Sequence, residues 1–205
     1  MSLSADLWAA NADLAAEASA HPFVTGIADG TLPRERFAGY VVQDAFFLES
    51  FLRAYALGIA HSPDRATLDV FADLLAGVRE ELRLHDGYVA RWGIDLAVVE
   101  PLPATLAYTD FLLATASLGG VGLTCAAMIP CMRLYAHLGQ SLSADSAGAY
   151  AEWVTTYADP AFEELAATLE WLLDDCADDL PQVRAAYRRA MHLEVGFFDA
   201  AWHAA

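Results

Sequence analysis

Residues 111–132 read FLLATASLGGVGLTCAAMIPCM, and this stretch contains no charged side chain. Its length would suit a membrane span. However, glycines at 119, 120 and 122 and a proline at 130 interrupt the run, and paired glycines typically separate one helix from the next. We therefore expect two helices that meet at Gly119-Gly120 and lie in the interior of the protein, not in a membrane.

The sequence on both sides of this stretch repeats apolar residues at helical spacing, and no alternating run bounded by turns predicts a strand. We expect a turn over 26–30, a capping residue at Thr31, a helix C-cap at Gly93 and a helix end at Gly139. The sequence predicts an all-α bundle of about eight helices, roughly over 7–18, 31–60, 65–92, 103–119, 121–137, 143–157, 159–179 and 181–202.

The composition restricts both the domain organisation and the partners. The chain has 205 residues, of which 57% are hydrophobic, and it contains no Ser/Gly-rich linker or internal repeat, so we expect one domain over residues 1–205. The net charge is −17, which disfavours binding to nucleic acid or to an anionic membrane surface. All 11 basic residues are arginines, which excludes Schiff-base chemistry and a P-loop lysine.

The cysteines and the N-terminus indicate the compartment. Three cysteines, Cys125, Cys131 and Cys176, form no disulfide framework, which is typical of a reducing environment. The first residues lack the positive charge and apolar run of a signal peptide. We therefore expect a cytoplasmic protein.

Asp44 is the first polar residue on an apolar helix face, because Phe47 and Leu48 follow it at i+3 and i+4. A carboxylate in such a place must be paired, hydrogen-bonded or protonated. It is therefore a candidate binding residue. The alternatives are an ion pair with Arg53 or partial exposure.

Cys131 and Glu194 are the other two candidates. Cys131 follows Pro130, which kinks a helix and helps to shape a cavity, and Tyr135 lies one turn later on the same face. Glu194 precedes Phe197 and an adjacent phenylalanine, and an aromatic setting raises a carboxyl pKa and favours a proton donor. The alternatives are an inert buried thiol and a glutamate at the rim of the protein.

Other kinds of site have little support. Di-iron bundles need repeated Glu-x-x-His pairs, and the sequence has none; Glu81 and His85 form one i,i+4 pair that is typical of a solvated helix face. No nucleophile-elbow motif supports a Ser-His-Asp site. Tyr108 and Tyr157 lie in apolar runs, where packing is the ordinary role of a tyrosine.

The order of five segments resembles the TenA (thiaminase II) family. They are HPFVTGIADGTLP at 21–33, YVVQD at 40–44, IPCMRLY at 129–135, WVTTY at 153–157 and EVGF at 194–197. The resemblance implies a haem-oxygenase-like helical fold in a homotetramer. It also implies hydrolysis of thiamin or of 4-amino-5-aminomethyl-2-methylpyrimidine to 4-amino-5-hydroxymethyl-2-methylpyrimidine in thiamin salvage, with no metal or organic cofactor.

The same resemblance implies roles for individual residues. Cys131 corresponds to a nucleophile whose thiolate adds to the pyrimidine ring, and Glu194 to the acid that protonates the leaving group and then activates water. Asp44 corresponds to the carboxylate that binds the ring nitrogen and amino group. The remaining members of the site are expected to contact the substrate: Tyr108, Tyr135, Tyr157 and Phe197.

Phe47 departs from the family pattern, which often has a tyrosine there that is thought to help to activate the cysteine. Either another group, such as Tyr108, holds the thiolate, or Cys131 is less reactive in this chain. Phe47 therefore also supports an alternative function, a pyrimidine- or thiamin-binding protein without catalysis. A haem- or metal-dependent oxygenase on the same fold is a further alternative, because one fold hosts many functions.

Overall fold

The computed structural model describes residues 2–94, 96 and 99–204, except for the side chains of 80, 81, 83–88 and 90. In the described residues we find helices and no strand. The helices are α1 (Leu3–Ala10), α2 (Ala12–Ala20), α3 (Pro22–Ala28), α4 (Arg34–His61), α5 (Arg65–Trp92), α6 (Pro103–Leu118), α7 (Gly120–Ser141), a 3-10 helix (Gly148–Tyr150), α8 (Ala151–Ala158), α9 (Pro160–Cys176) and α10 (Pro181–His203).

The helix boundaries follow the capping residues that the sequence offers. The Asp64 carboxylate accepts a hydrogen bond from the Thr67 amide at the start of α5, and Gly93 ends that helix at a φ of 66°, where glycine is favoured because it has no Cβ. Prolines occupy the first turn of α3, α6, α9 and α10, where no backbone N–H is needed.

The N-terminal part has more helices than predicted, so the described residues contain ten α-helices. Asn11 divides the expected 7–18 helix, because its side-chain amide donates to the Leu7 carbonyl at 2.8 Å and its carbonyl oxygen accepts from Arg188. The expected turn over 26–30 is mostly the end of α3, and only Asp29 and Gly30 form the turn. Thr31 does not cap α4, since Pro33 occupies the N-cap position.

Two predictions around α7 and α8 were wrong. Gly139 does not end α7, which continues to Ser141. A Cβ at Gly139 would lie 2.3 Å from the backbone carbon of Tyr157, so this glycine allows α7 and α8 to approach closely. The segment 143–147 forms turns instead of the start of a helix, and α8 begins only at Ala151.

Helix α7 is the centre of the bundle and packs against α4, α6, α8, α9 and α10. It is the one helix in the described residues whose length and mean hydropathy would permit a membrane span, but 72% of its apolar window is buried inside the protein. The chain turns from α6 to α7 at Gly119 and Gly120, as predicted. The uncharged stretch is therefore two packed core helices.

The nucleophile candidate is held in place because α7 is fixed to α9 by an ion-pair network. The Arg133 guanidinium donates two hydrogen bonds to Glu170, at 2.6 and 2.7 Å, and further bonds to Glu163 at 2.8 Å. The Arg133 side chain is only 15% exposed. Such paired, half-buried charges define one relative position of the two helices.

Candidate active site

Pro130 and Cys131 lie in the middle of α7. Because proline has no N–H, the carbonyl of Ala126 lacks the donor that it would have in a regular helix. Cys131 follows directly and is half-buried. Tyr135, one turn later, faces the same cavity, as the spacing predicted.

Four helices enclose this cavity. Its walls are Asp44, Leu48 and Phe51 of α4, Cys131, Met132 and Tyr135 of α7, Tyr157 of α8 and Phe162 of α9. The free space is about 10 Å³ for water-sized spheres, which is the room that one water molecule needs. A ring-shaped ligand can therefore enter only when the walls move apart.

Asp44 lies in the cavity wall and is 5% exposed. The alternative of an ion pair with Arg53 is wrong, because the Arg53 guanidinium is exposed and pairs with Glu49 at 3.1 Å. Partial exposure is also contradicted by the burial of Asp44. The Asp44 carboxyl is therefore a buried polar group in the wall of a confined space, whose other walls include apolar side chains such as Leu48 and Phe51.

Glu194 lies in the interior on α10 and is 2% exposed, so it is not a rim residue. The Tyr108 hydroxyl donates a hydrogen bond to its Oε1 at 2.6 Å. Burial raises the pKa of Glu194 to about 8, and the nearby Asp44 carboxyl adds to the rise, although hydrogen bonds with Tyr108 and Cys131 oppose it. Glu194 is therefore mostly protonated at neutral pH.

Tyr108 is completely buried beside this carboxyl. Burial raises its pKa well above the ordinary value, and the adjacent Glu194 and Cys131 raise it further. The phenol consequently keeps its proton and remains a donor. Glu194 therefore has hydrogen bonds to both the Tyr108 hydroxyl and the Cys131 thiol.

Tyr135 belongs to a series of hydrogen-bonded side chains that also contains Trp153 and Tyr40. The Trp153 indole N–H donates to the Tyr40 hydroxyl at 3.4 Å, and Tyr40 donates to the Tyr135 hydroxyl at 3.2 Å. Burial raises the pKa of Tyr135 well above its ordinary value. The hydroxyl of Tyr135 therefore stays protonated.

The remaining aromatic candidates occupy two layers. Tyr157 lines the cavity and its ring packs edge-on against Tyr135, with ring centroids 4.8 Å apart. Phe47 and Phe197 lie behind the cavity wall; the Phe47 ring is 4.8 Å from Tyr108 and 5.8 Å from Phe197. These two rings therefore keep water away from the Tyr108–Glu194 contact rather than line the cavity.

Several wall residues are missing from the set predicted from sequence. Leu48, Phe51 and Met132 line the cavity. The i+4 and i+7 spacing of Leu48 and Phe51 from Asp44 could have revealed these two, whereas Met132 directly follows Cys131, a spacing that does not predict a shared face. No spacing along α4 or α7 could have predicted Phe162, because this wall residue belongs to a different helix, α9. Tyr40 and Trp153 lie in two of the family-like segments, but their role depends on contacts between helices that no local pattern predicts.

Two larger concavities lie away from these groups. One, of about 470 Å³, is bounded by residues such as Arg34, Arg91 and Trp92, and the other, of about 520 Å³, is an apolar groove beside Leu118. Neither contains a buried carboxyl or the half-buried thiol. The smaller cavity is therefore the candidate active site, because the thiol and a buried carboxyl lie in its walls.

The described residues contain no group of three or more His, Cys, Asp and Glu side chains that could hold a metal ion. The side chains of Glu81 and His85, the one pair that suggested a metal ligand set, lie outside the described residues. The donors around the cavity are one thiol, two carboxyls and tyrosine hydroxyls. This set suits proton transfer and nucleophilic chemistry.

Comparison with known proteins agrees with the resemblance seen in the sequence. An aminopyrimidine aminohydrolase of Halalkalibacterium halodurans is 35% identical over 196 residues, which cover 89% of this chain and 88% of that protein. A protein of Silicibacter sp., described as a TenA family transcription regulator, superposes with a TM-score of 0.91 at 28% identity, covering 97% of this chain and 96% of its own.

The fold prediction is also confirmed. A Shewanella denitrificans domain described as having a haem-oxygenase-like fold superposes with a TM-score of 0.77 at 14% identity, over 98% of this chain and 92% of that domain. The family model named TENA/THI-4/PQQC matches residues 8–204. This chain therefore belongs to the TENA/THI-4/PQQC family.

Proposed function

We propose that the chain is an aminopyrimidine aminohydrolase that acts in thiamin salvage. It hydrolyses 4-amino-5-aminomethyl-2-methylpyrimidine, thiamin or both to 4-amino-5-hydroxymethyl-2-methylpyrimidine. The observation that carries the proposal is the buried Glu194 carboxyl, with a pKa of about 8 and hydrogen bonds to both Tyr108 and Cys131. The name of the Halalkalibacterium halodurans relative supports the same activity.

In this proposal, Cys131 is the nucleophile. The Cys131 thiol gives its proton to a ring nitrogen, and the sulfur adds to the electron-poor pyrimidine ring as a thiolate. The adduct weakens the bond to the group on the exocyclic methylene, and the ring nitrogen releases the proton again when the sulfur departs. The hydrogen bond between Cys131 and Glu194 places an acid next to the thiol. Sulfur leaves the ring again after water has replaced the departing amine.

Glu194 is the general acid and then the base. Because its pKa is about 8, the resting carboxyl carries a proton that it can deliver to the leaving amine at neutral pH. The resulting carboxylate then takes a proton from the attacking water. Tyr108, which holds the carboxyl at 2.6 Å, keeps it in one orientation throughout.

The cavity walls supply the contacts that orient the ring. Asp44 accepts hydrogen bonds from the ring amino group and the protonated ring nitrogen, which is the pairing that a buried carboxylate favours. Tyr135 and Tyr157, in other walls of the cavity, donate hydrogen bonds to the substrate from their hydroxyl groups. Phe197 and Phe47 exclude water from behind the carboxyl.

A nucleic-acid function is disfavoured by the charge. The Silicibacter relative is described as a transcription regulator, whereas this chain has a net charge of −17 and only 11 basic residues. A DNA-binding surface requires clustered cations that release counterions. A small-molecule site inside the helical bundle agrees better with these properties.

The decisive experiment measures turnover of the aminomethylpyrimidine and of thiamin by the purified protein. Cys131→Ser and Glu194→Gln should each reduce turnover by roughly a hundredfold or more. Cys125→Ser is the matched control, because it removes a different thiol of α7 and should leave the rate near that of the wild type. Near-normal turnover by Cys131→Ser would exclude the covalent route. Tight binding of the pyrimidine without turnover by the wild type would identify a binding protein instead.

We also propose that the protein is cytoplasmic and forms a homotetramer. The apolar groove beside α6, α7 and α10, which includes Leu118 at 88% exposure, supports an interface between copies, because a contiguous exposed apolar patch commonly marks a contact between proteins. Light scattering after size-exclusion chromatography measures the mass. Leu118→Asp should reduce it, whereas a wild-type monomer would contradict the proposal.

A further inference from the structure

Two cysteines that take no part in the proposed reaction lie against each other. Cys125 is in α7 and has no exposed surface, whereas Cys176 is the last residue of α9 and is exposed. Both are free thiols. The pair therefore combines one thiol that solvent reaches with one that solvent does not reach.

The helices approach closely at this point. A Cβ on Gly122 would lie 3.0 Å from the Cβ of Ala177 and 3.7 Å from the backbone oxygen of Cys176. Cys125 is three residues after Gly122 and so lies on the same face of α7. The absence of a side chain at 122 brings the start of α7 onto the end of α9, and the two thiols meet there.

The two thiols have different reactivity. Burial raises the pKa of Cys125 well above its ordinary value, and the bond to Cys176 adds to this rise. The hydrogen bond from Cys125 lowers the pKa of Cys176, against the opposing effects of partial burial and the Asp175 charge. The exposed thiol is therefore the better nucleophile toward a solvent-borne oxidant, because the thiolate is the reactive form.

We propose that Cys125 and Cys176 are a redox pair that a peroxide converts into an intramolecular disulfide between α7 and α9. The Cys176 thiolate attacks one peroxide oxygen, the O–O bond breaks, and the departing hydroxide takes up a proton to form water. Cys125 then attacks the sulfur of the resulting sulfenic acid. The S–O bond breaks, and the second oxygen also leaves as water.

The balance of this reaction is two thiols and one hydrogen peroxide giving one disulfide and two waters. The thiols are oxidised and the peroxide is reduced, so no further reactant is needed. Exposure and a neighbouring resolving thiol are the features that favour this route over irreversible oxidation. A thiol reductant restores the pair by exchange.

Cys131 is geometrically separate from this pair. It is six residues after Cys125, and a helical rotation of about 100° per residue places it roughly 120° away around α7. It lines the cavity between α4, α8 and α9, whereas Cys125 faces the end of α9. The proposed disulfide therefore leaves the Cys131 thiol free.

The test uses the reduced full-length protein, treated with stoichiometric hydrogen peroxide and then with a thiol-alkylating reagent. Intact-mass measurement should show the loss of two hydrogen atoms and alkylation at one remaining thiol. Trypsin cannot separate the cysteines of α7, because the chain has no lysine and Arg91 and Arg133 bound a fragment that contains both. The protein is therefore cleaved with trypsin and with cyanogen bromide, whose cleavage after Met128 separates Cys125 from Cys131.

The expected product links fragment 92–128 to fragment 134–184, and dithiothreitol dissolves the link. Cys176→Ser should abolish it; this position is exposed, so the variant should fold. Cys131→Ser is the matched control and should form the link at the wild-type rate. Three results would overturn the proposal: a link that uses Cys131, a disulfide between two chains, or Cys176 oxidised by two or three oxygen atoms while Cys125 remains a free thiol.

Discussion

Replacing Glu194 with glutamine should change how the stability of the protein depends on pH. Folding raises the pKa of this carboxyl from 4.5 to about 8, mainly because the group is buried. A raised pKa means that the folded state binds a proton that the unfolded state releases. The stabilisation is therefore complete below about pH 4.5 and is lost as the pH rises through about 8.

The size of this effect follows from the change in pKa. At about 1.36 kcal/mol per pKa unit, the rise from 4.5 to about 8 corresponds to roughly 5 kcal/mol over the whole range. Between about pH 5 and about pH 8.5, the wild type should lose about 4 kcal/mol of stability relative to Glu194→Gln. A glutamine keeps an oxygen for the Tyr108 hydroxyl but has no proton to titrate.

Urea unfolding of both proteins at a series of pH values measures this difference. Other carboxyls titrate in both proteins, so their contributions cancel when one free energy of unfolding is subtracted from the other. Glu164→Gln is the control, since it removes one negative charge at an exposed position. If the free-energy difference between wild type and Glu194→Gln did not vary with pH, Glu194 would be ionised in the folded protein. It could not then be the acid that protonates the leaving amine.

Three further variants test individual contacts. Tyr108→Phe removes a hydrogen bond that lowers the pKa of the buried carboxyl, so the pH at which stability is lost should move upward in the same unfolding series; a downward shift would contradict the assigned contact. Gly139→Ala places a Cβ against the backbone of α8, so it should lower the free energy of unfolding in urea by about 1–3 kcal/mol and raise KM. Gly196→Ala is its control and should leave stability unchanged or increase it, because a Cβ at that position has open space. Arg133→Ala leaves two glutamates of α9 without their partner and should lower the free energy of unfolding by about 2–4 kcal/mol. Its control, Arg53→Ala, breaks an exposed ion pair and should change the free energy of unfolding by less than about 1 kcal/mol. Equal losses of stability in the two variants would refute the structural role of the Arg133 network.

The sequence predicted correctly those features that depend on a single helix, such as helix ends and residues that share a helix face. Helix ends such as Gly93 and Pro181 follow from local backbone chemistry, and the structure agrees there. The juxtaposition of Cys131 and Tyr135 follows from the helical period alone. The uncharged stretch was also interpreted correctly as two helices, because Gly119 and Gly120 separate α6 from α7, although Pro130 lies inside α7.

The incorrect predictions concern residues whose structural role depends on contacts with a second helix. Gly139 looks like a helix end in the sequence, yet its small size serves the approach of α8. Asn11 divides a helix, and the Arg188 guanidinium, which is far away in sequence, donates a hydrogen bond to the Asn11 side-chain oxygen. The wall residue Phe162 is likewise invisible to local pattern, since only the packing of α9 on α7 brings it to the cavity.

Phe47 connects the departure from the family pattern with the electrostatics of the site. The family resemblance leads us to expect a hydroxyl at this position, but the Phe47 ring packs 4.8 Å from Tyr108, whose own hydroxyl binds Glu194. A phenyl ring offers no hydrogen bond to a carboxylate, and it excludes water that would stabilise one. The apolar ring at 47 therefore favours the protonated form of Glu194. The hydrogen bond between Glu194 and Cys131 gives the thiol a polar partner although position 47 has no hydroxyl. The absence of a hydroxyl at 47 is consequently compatible with the proposed reaction, in which the carboxyl of Glu194, and not a tyrosine at 47, is the hydrogen-bonding partner of the thiol.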